Sequence, residues 1–335
     1  MIQAVSHLVA DEPGEGIEAM VGQMRASPLL APFASGRLVR QERGQMEPPR
    51  LQADIIVSHL PVSWRNLAYL TALRALHPAT PLIHVEHLFG DGYVAGTIDN
   101  RDRFDALVGA SYALFDMIVA LNAPQERWIL RHRFAGLDRV VLIEPSAPPP
   151  AAALGRAPGN AAVLAAIGRF DRASGFDILI DAFIAADRDD LTLRLHGEGP
   201  RHSELVARAR GHERIEFADA PADRRAAFAA ADGLAVPARF DASGLVALEA
   251  LAAGLPVLTA PIDASAALVR AGALVVPENS SRGWREALAR CDLRTVDIEG
   301  GRRHAEQTEA RFAEAWCALI DRFGRDGIQD AKSAA

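Results

Sequence analysis

The sequence predicts an α/β protein built from two doubly wound domains, each a parallel sheet covered by helices. Three observations carry this expectation. Short β-type apolar runs alternate with longer helix-type segments along the whole chain, the pattern of strands joined by helical crossovers. The pattern is interrupted by Glu144-Pro145-Ser146-Ala147-Pro148-Pro149-Pro150 and the small residues through Asn160, which have the composition of an interdomain linker. The 335 residues, 50% of them hydrophobic, supply two cores of ordinary size and would crowd one.

The elements follow in order. In the first half, strands are expected at Gln3–Ala10, Ala53–Ser58, Pro81–Glu86, Met117–Leu121 and Arg139–Ile143. In the second they are expected at Ala162–Ile167, Leu191–His196, Arg214–Phe217, Gly233–Val236, Pro256–Leu258 and Ala273–Val276. The domains are read as residues 1–145 and 161–325, with a Pro/Ala-rich linker over 146–160 and a tail over 326–335. A closing helix places Phe312, Trp316, Leu319, Ile320 and Phe323 on one face and is expected to pack back across the domains. The polar stretch Gly92–Asn100 is expected as a mobile loop. Two doubly wound domains leave a central cleft facing the carboxyl ends of both sheets, so function is sought in the strand-to-helix loops.

Composition excludes several classes. The net charge of −7 divides evenly, with 13 basic and 16 acidic side chains in residues 1–150 and 23 and 27 in the remainder, so neither half has the basic surplus of a nucleic-acid binder. No uninterrupted apolar run reaches the roughly 18–20 residues of a membrane span. Cys291 and Cys317 show no CxxC or Cys/His spacing, which argues against a structural zinc site or a disulfide framework. Met1-Ile2-Gln3-Ala4 lacks the basic and apolar regions of a signal peptide, and the protein is expected to be cytoplasmic. Of the 36 Lys plus Arg, only Lys332 is a lysine, so chemistry that needs a lysine in the folded body is not expected.

The most informative segment runs from Ala238 to Val257. A strand ends at Val236-Pro237, a short loop carries Asp241 and Gly244, and a helix begins near Gly244 and stops at Gly254. The amides of Gly244, Leu245 and Val246 lie at the helix start, where the dipole favours an anion such as a diphosphate. Glu249 sits on a helix otherwise made of Leu, Val and Ala, so its carboxylate either pairs with an arginine or faces a ligand.

With its surroundings, this segment resembles the retaining glycosyltransferases of family 4, which have the two-domain, Rossmann-like GT-B fold. Their signature is an acidic residue, seven intervening positions and a glutamate, then a small-residue helix ending in Gly-x-Pro-Val; Asp241 and Glu249 hold those places. Ala166-Ile167-Gly168-Arg169-Phe170, Gly175–Phe183 and Leu193-Arg194-Leu195-His196-Gly197-Glu198-Gly199-Pro200 resemble the family's opening strand, loop and helix and its Gly-x-Gly-Pro turn.

The resemblance implies that Glu249 meets the ribose hydroxyls of a nucleotide-sugar donor and Asp241 the hydroxyls of the transferred sugar. It implies that Gly244, Leu245 and Val246 hold the diphosphate, with Arg169 neutralising its charge and Gly197 in the adjoining turn. Two departures stand out: Asp241 is one methylene shorter than the usual glutamate, and the usual lysine before Gly175 is Ser174, leaving Arg172, another arginine or nothing to supply that charge.

The first domain matches less sharply. Gly14 and Gly16 follow the first strand where the family often has a phosphate-approaching turn, although Glu12 and Glu15 would repel a diphosphate there. Pro81–His87 and Ala53–His59 are strands ending in histidine. The resemblance assigns His87 to the cleft near the transferred sugar; by their places on the strands, His59 is a candidate on the acceptor side and His84 a core residue.

The resemblance further implies transfer with retention to a carbohydrate or lipid-linked acceptor, in exopolysaccharide, capsule or other glycan synthesis. No metal and no cofactor is expected, since no DxD motif ends a strand. Trp128–Arg133 is read either as a basic contact with the inner face of the membrane or as a half-buried helix with snorkelling arginines. The competing functions are a catalytically impaired homologue acting as a binding or scaffold subunit and a nucleotide-sugar epimerase. The oligomeric state stays open.

Overall fold

The computed structural model describes residues 2–12, 14–147, 162–221, 223–290 and 298–333. The chain divides into two compact units, one of Met1–Pro145 with Ala310–Ala335, the other Ser146–Glu309. Residues 148–160 of the expected linker lie outside the described residues, as does Cys291.

The first unit is a six-stranded parallel sheet: β1 (Gln3–Ala10), β2 (Ala34–Gln41), β3 (Ile55–Ser58), β4 (Leu82–Val85), β5 (Met117–Ala120) and β6 (Val140–Leu142), in the order β2-β1-β3-β4-β5-β6. Strands β3, β4 and β5 are buried throughout, because crossover helices cover both faces. These helices are α1 (Glu15–Ala26), α2 (Trp64–Leu76), α3 (Asp91–Thr97), α4 (Arg101–Tyr112) and α5 (Ala123–Arg131). Strand β2 is absent from the sequence-based expectation. It is an edge strand paired with β1 in which exposed residues interrupt half-buried ones, so it has no continuous apolar run to mark it. The Gly92–Asn100 stretch is not a loop: most of it forms α3, whose Val94 enters the core.

In α5, Trp128 and Ile129 are buried in the unit's core beside Phe89 and Phe104, while Arg127 and Arg131, and Arg133 just past the helix, stay exposed. The three large apolar side chains of Trp128–Arg133 are thus engaged with the core, Trp128 and Ile129 buried in it and Leu130 packed against it.

The second unit holds β7 (Ala162–Ile167), β8 (Leu191–His196), β9 (Ile215–Ala218), β10 (Gly233–Val236), β11 (Val257–Thr259) and β12 (Leu274–Val275) in the parallel order β12-β11-β10-β7-β8-β9. Its helices are α6 (Phe176–Ala186), α7 (His202–Ala209), α8 (Arg224–Ala229), α9 (Leu245–Ala252), α10 (Ser265–Arg270) and α11 (Ser281–Arg290). From β7 the chain builds outward through β8 and β9, then returns to add β10 on the other side of β7. The winding therefore reverses between β7 and β10, and in the first unit between β1 and β3. Ligands of such sheets bind at the carboxyl ends of the strands where the winding reverses.

The final helix, α12 (Ile298–Ser333), begins in the second unit and continues in the first. Gly301 lies against Leu251, whereas Phe312, Trp316, Leu319 and Ile320 are buried and Arg322 donates to the Asp138 carbonyl. Residues 310–325 accordingly group with the first unit and not the second, because the apolar face seen in the sequence is buried there. The two doubly wound units have the GT-B fold.

Candidate functional site

In the second unit, the carboxyl ends of β7 and β10 open into a cavity of about 180 Å³, lined among others by Asp171, Ser174, Pro237, Phe240, Asp241 and Val246. Two loops build it. The loop after β7 turns at Gly175, whose φ of +71° only glycine adopts easily and whose missing Cβ would lie 2.0 Å from the Pro237 carbonyl oxygen. Next to it, Gly197 has φ +154°, and a Cβ there would stand 1.9 Å from the Gly168 carbonyl oxygen. The β7 and β8 loops close on each other without a side chain between them.

The second loop carries Asp241. Its Oδ1 accepts from the Ser243 amide, the Ser243 hydroxyl and the Gly244 amide at 2.9, 3.0 and 2.9 Å. Burial pushes the Asp241 carboxyl above the ordinary range, with those three donors opposing the shift. Gly244 caps α9, and the Leu245 amide donates to the Ser243 hydroxyl at 3.3 Å. Two of the three amides expected to cradle a diphosphate, those of Gly244 and Leu245, thus have partners within the loop, and Val246 lines the cavity.

Glu249 lies one turn further along α9, and its Oε2 is 3.1 Å from Arg224 Nε of α8. Arg224 is 13% exposed and its Nη1 is buried without a hydrogen-bond partner. Of the two sequence readings of Glu249, the arginine pair is present.

Arg169 is 72% exposed, with a loose 3.7 Å contact to Asp171, and Arg172 is exposed. Ser174, in place of the family lysine, donates to the Arg169 carbonyl at 2.5 Å and lies 3.2 Å from Asp171 Oδ1, which ties the loop to itself. Another arginine clamps the two loops together: Arg239 holds Asp177 through both carboxylate oxygens at 2.9 Å, and it donates to the Arg172 carbonyl at 2.6 Å. Burial opposes ionisation of Asp177, but the hydrogen bonds and charge of Arg239, with Arg201, outweigh it and hold the carboxyl below its usual range. Neither Arg224 nor Arg239 was singled out by sequence. The available signal was Glu249 itself, which needs a cation on so apolar a helix.

In the first unit, His7 in β1, His59 just past β3 and His87 just past β4 lie across three adjacent strands. His59 Nδ1 is 2.9 Å from His87 Nε2, and His59 Nε2 is 3.2 Å from His7 Nδ1. His7 and His59 are buried and His87 is half-buried. Burial lowers His7 and His87 to about 4; the charge of Arg25 adds to this for His7, while Glu86 opposes it for His87. Burial and the neighbouring imidazoles lower His59 well below its usual value.

Beneath them, buried Glu86 accepts from the Leu88 and Phe89 amides at 2.7 and 2.9 Å and from the Tyr112 hydroxyl at 2.7 Å. Its carboxylate lies 3.4 Å from His84. Burial opposes its ionisation, but the contacts with His84 and the two amides win, and Glu86 titrates below the ordinary range. His84 is buried and stacked on Phe115, a core placement. Gly14 caps α1 with an ordinary φ of −60°, and a Cβ added at Gly14 or Gly16 would meet nothing within 4 Å, so neither position demands glycine. Among the described residues, no group of three or more His, Cys, Asp or Glu is arranged to hold a metal ion, and no helix is long and apolar enough to cross a membrane.

Residues 161–291 match the family model of the group 1 glycosyl transferases. The D-inositol 3-phosphate glycosyltransferase of Nocardia farcinica is 30% identical, with 89% of this chain and 73% of that protein covered. Its namesake from Corynebacterium aurimucosum is also 30% identical, over 68% of this chain, which spans 62% of that relative's length. Among solved structures, WaaG, a glycosyltransferase involved in lipopolysaccharide biosynthesis, superposes with a TM-score of 0.69 at 21% identity, covering 95% of this chain and 99% of WaaG. Anabaena HepE in complex with UDP and glucose gives 0.65 at 14% identity, covering 98% of this chain and 100% of HepE. At these identities the structural likeness establishes the fold. The chain belongs to the group 1 glycosyltransferases of family 4.

Proposed function

We propose that the protein transfers a sugar from a nucleotide-diphosphate donor to an acceptor hydroxyl with retention, in the assembly of a glycan such as an exopolysaccharide or capsule. The observation that carries this reading is the cavity at the β7/β10 switch point, with Asp241 in its wall, the α9 start beside it and Glu249 one turn on. A donor diphosphate at the start of α9 takes the helix dipole, with the exposed Arg169 and Arg172 as cations. Glu249 takes the ribose and Asp241 the transferred sugar, Gly197 keeps the adjoining loops close enough to form the wall, and His87 orients the sugar. The leaving diphosphate departs from the face on which the acceptor attacks. Catalysis then rests on charge stabilisation and on positioning, with no protein nucleophile.

HepE is solved with UDP and glucose, and the relatives are named for inositol 3-phosphate, which sets the panel for the test. Calorimetry with UDP- and GDP-sugars is expected to show binding by at least one donor, and Arg169→Ala is expected to weaken it about tenfold. Transfer is then assayed to inositol phosphate, sugar phosphates and lipid-linked sugars. Failure of every donor to bind overturns the reading.

A second reading, binding without turnover, is favoured by one observation: Ser174 and the Gly244 and Leu245 amides are engaged by the loops themselves, where the family expects phosphate contacts. Donor binding with neither hydrolysis nor transfer decides for it.

A further inference from the structure

The imidazoles of His7, His59 and His87 run in a line, with each contact made by one Nδ1 and one Nε2. A neutral imidazole has one N–H and one lone pair, so His59, held at both nitrogens, must donate to one neighbour and accept from the other. The line therefore has only two states. In one, each proton sits on Nε2 and points toward His7, and His87 offers a lone pair on Nδ1. In the other, each proton sits on Nδ1 and points toward His87, whose own Nδ1 then carries an N–H.

The charges at the ends select between them. At the His7 end stands Arg25, whose Nε donates to the Gly36 carbonyl at 3.2 Å; a Cβ on Gly36 would touch both Arg25 Cγ and His7 Cδ2. At the His87 end stands the ionised, buried Glu86, with His84 beside it as the other titratable group. A cation favours the lone-pair end of a chain of dipoles and an anion favours the N–H end. Arg25 and Glu86 thus bias the line the same way.

We propose that His7, His59 and His87 form a one-way relay of Nδ1–H tautomers, in which His7 and His59 are positioning residues and His87 presents a hydrogen-bond donor to an oxygen of the bound sugar. His87 is then an orienting donor and not the base that takes the acceptor proton. The assignment of the oxygen rests on the transferase reading; the tautomers do not.

The test is two-bond nitrogen–proton correlation spectroscopy on the full chain labelled with 15N-histidine at neutral pH, with signals assigned from single His→Phe variants. The expected result is the Nδ1–H pattern for all three residues. An Nε2–H pattern at His87 overturns the proposal. In His7→Phe, His87 is expected to become a tautomeric mixture, with kcat down about tenfold and donor affinity changed by less than about twofold. A folded His7→Phe protein with an unchanged His87 tautomer also overturns it. If His7→Phe does not fold, the spectrum of the unaltered protein decides alone. A protein with the expected tautomers and no transfer to any acceptor removes the transferase reading while leaving the relay intact.

Discussion

Glu249 and Arg224 show what a single residue can and cannot reveal. A glutamate on a run of Leu, Val and Ala announces that something must satisfy it, and the sequence leaves two choices. The partner, Arg224, lies on another helix at no periodic spacing, and only the fold brings its Nε to 3.1 Å. The same holds for Arg239 and Asp177, joined across 62 positions. The pair also gives a way to separate binding from folding. Glu249→Ala is expected to abolish donor binding and to cost about 1–3 kcal/mol, because it leaves a largely buried guanidinium without its carboxylate. The double variant Glu249→Ala/Arg224→Leu is expected to recover most of that loss in urea unfolding without recovering binding in calorimetry. Recovery of both would mean that Glu249 serves the fold alone.

At the scale of elements, the central strands were legible because their apolar runs are short, dense and flanked by turn residues. The edge strand β2 was not, since three of its eight residues are exposed and its stability comes from the register with β1, from Gln3 opposite Ala34 to Ala10 opposite Gln41. The glycines of the loops divide in the same way. Sequence marked Gly14 and Gly16 as a possible phosphate loop and Gly197 as part of a donor-binding turn, and only the packed structure shows which of them must be glycine. Gly197→Ala drives a methyl into the Gly168 carbonyl at a φ that alanine avoids, and a loss of about 3 kcal/mol or more is expected in thermal or urea unfolding. Gly16→Ala, inside α1 with open space around it, is expected to be neutral or to stabilise by up to about 1 kcal/mol. Equal losses at both positions would contradict this account of the loops.

For the whole molecule, the decisive property is how many neutral imidazoles the fold encloses. His7, His59, His87 and His196 all titrate below the value of 6.5 they would have in an unfolded chain, with burial as the first cause each time. At pH 7 they are mostly neutral in both states and contribute little. As the pH falls below 6.5 the unfolded chain takes up protons that the folded chain refuses, so stability falls, and for His7 and His87 the fall continues to about 4. His7 and His87 each contribute about 1.4 kcal/mol per pH unit once the pH is well inside that window. Asp241 works in the opposite sense, since its raised carboxyl pKa favours the folded state as the pH drops. Glu86, held below the ordinary range, adds its own loss only at lower pH. Urea unfolding at pH 7 and pH 5 is therefore expected to show a stability lower by several kcal/mol at the acid end. His7→Phe, which removes one of the refused protons, is expected to flatten the slope by about one proton's worth. A stability that is flat between these two pH values would mean that the histidines are protonated in place, and the line of neutral imidazoles through the first unit would lose its basis.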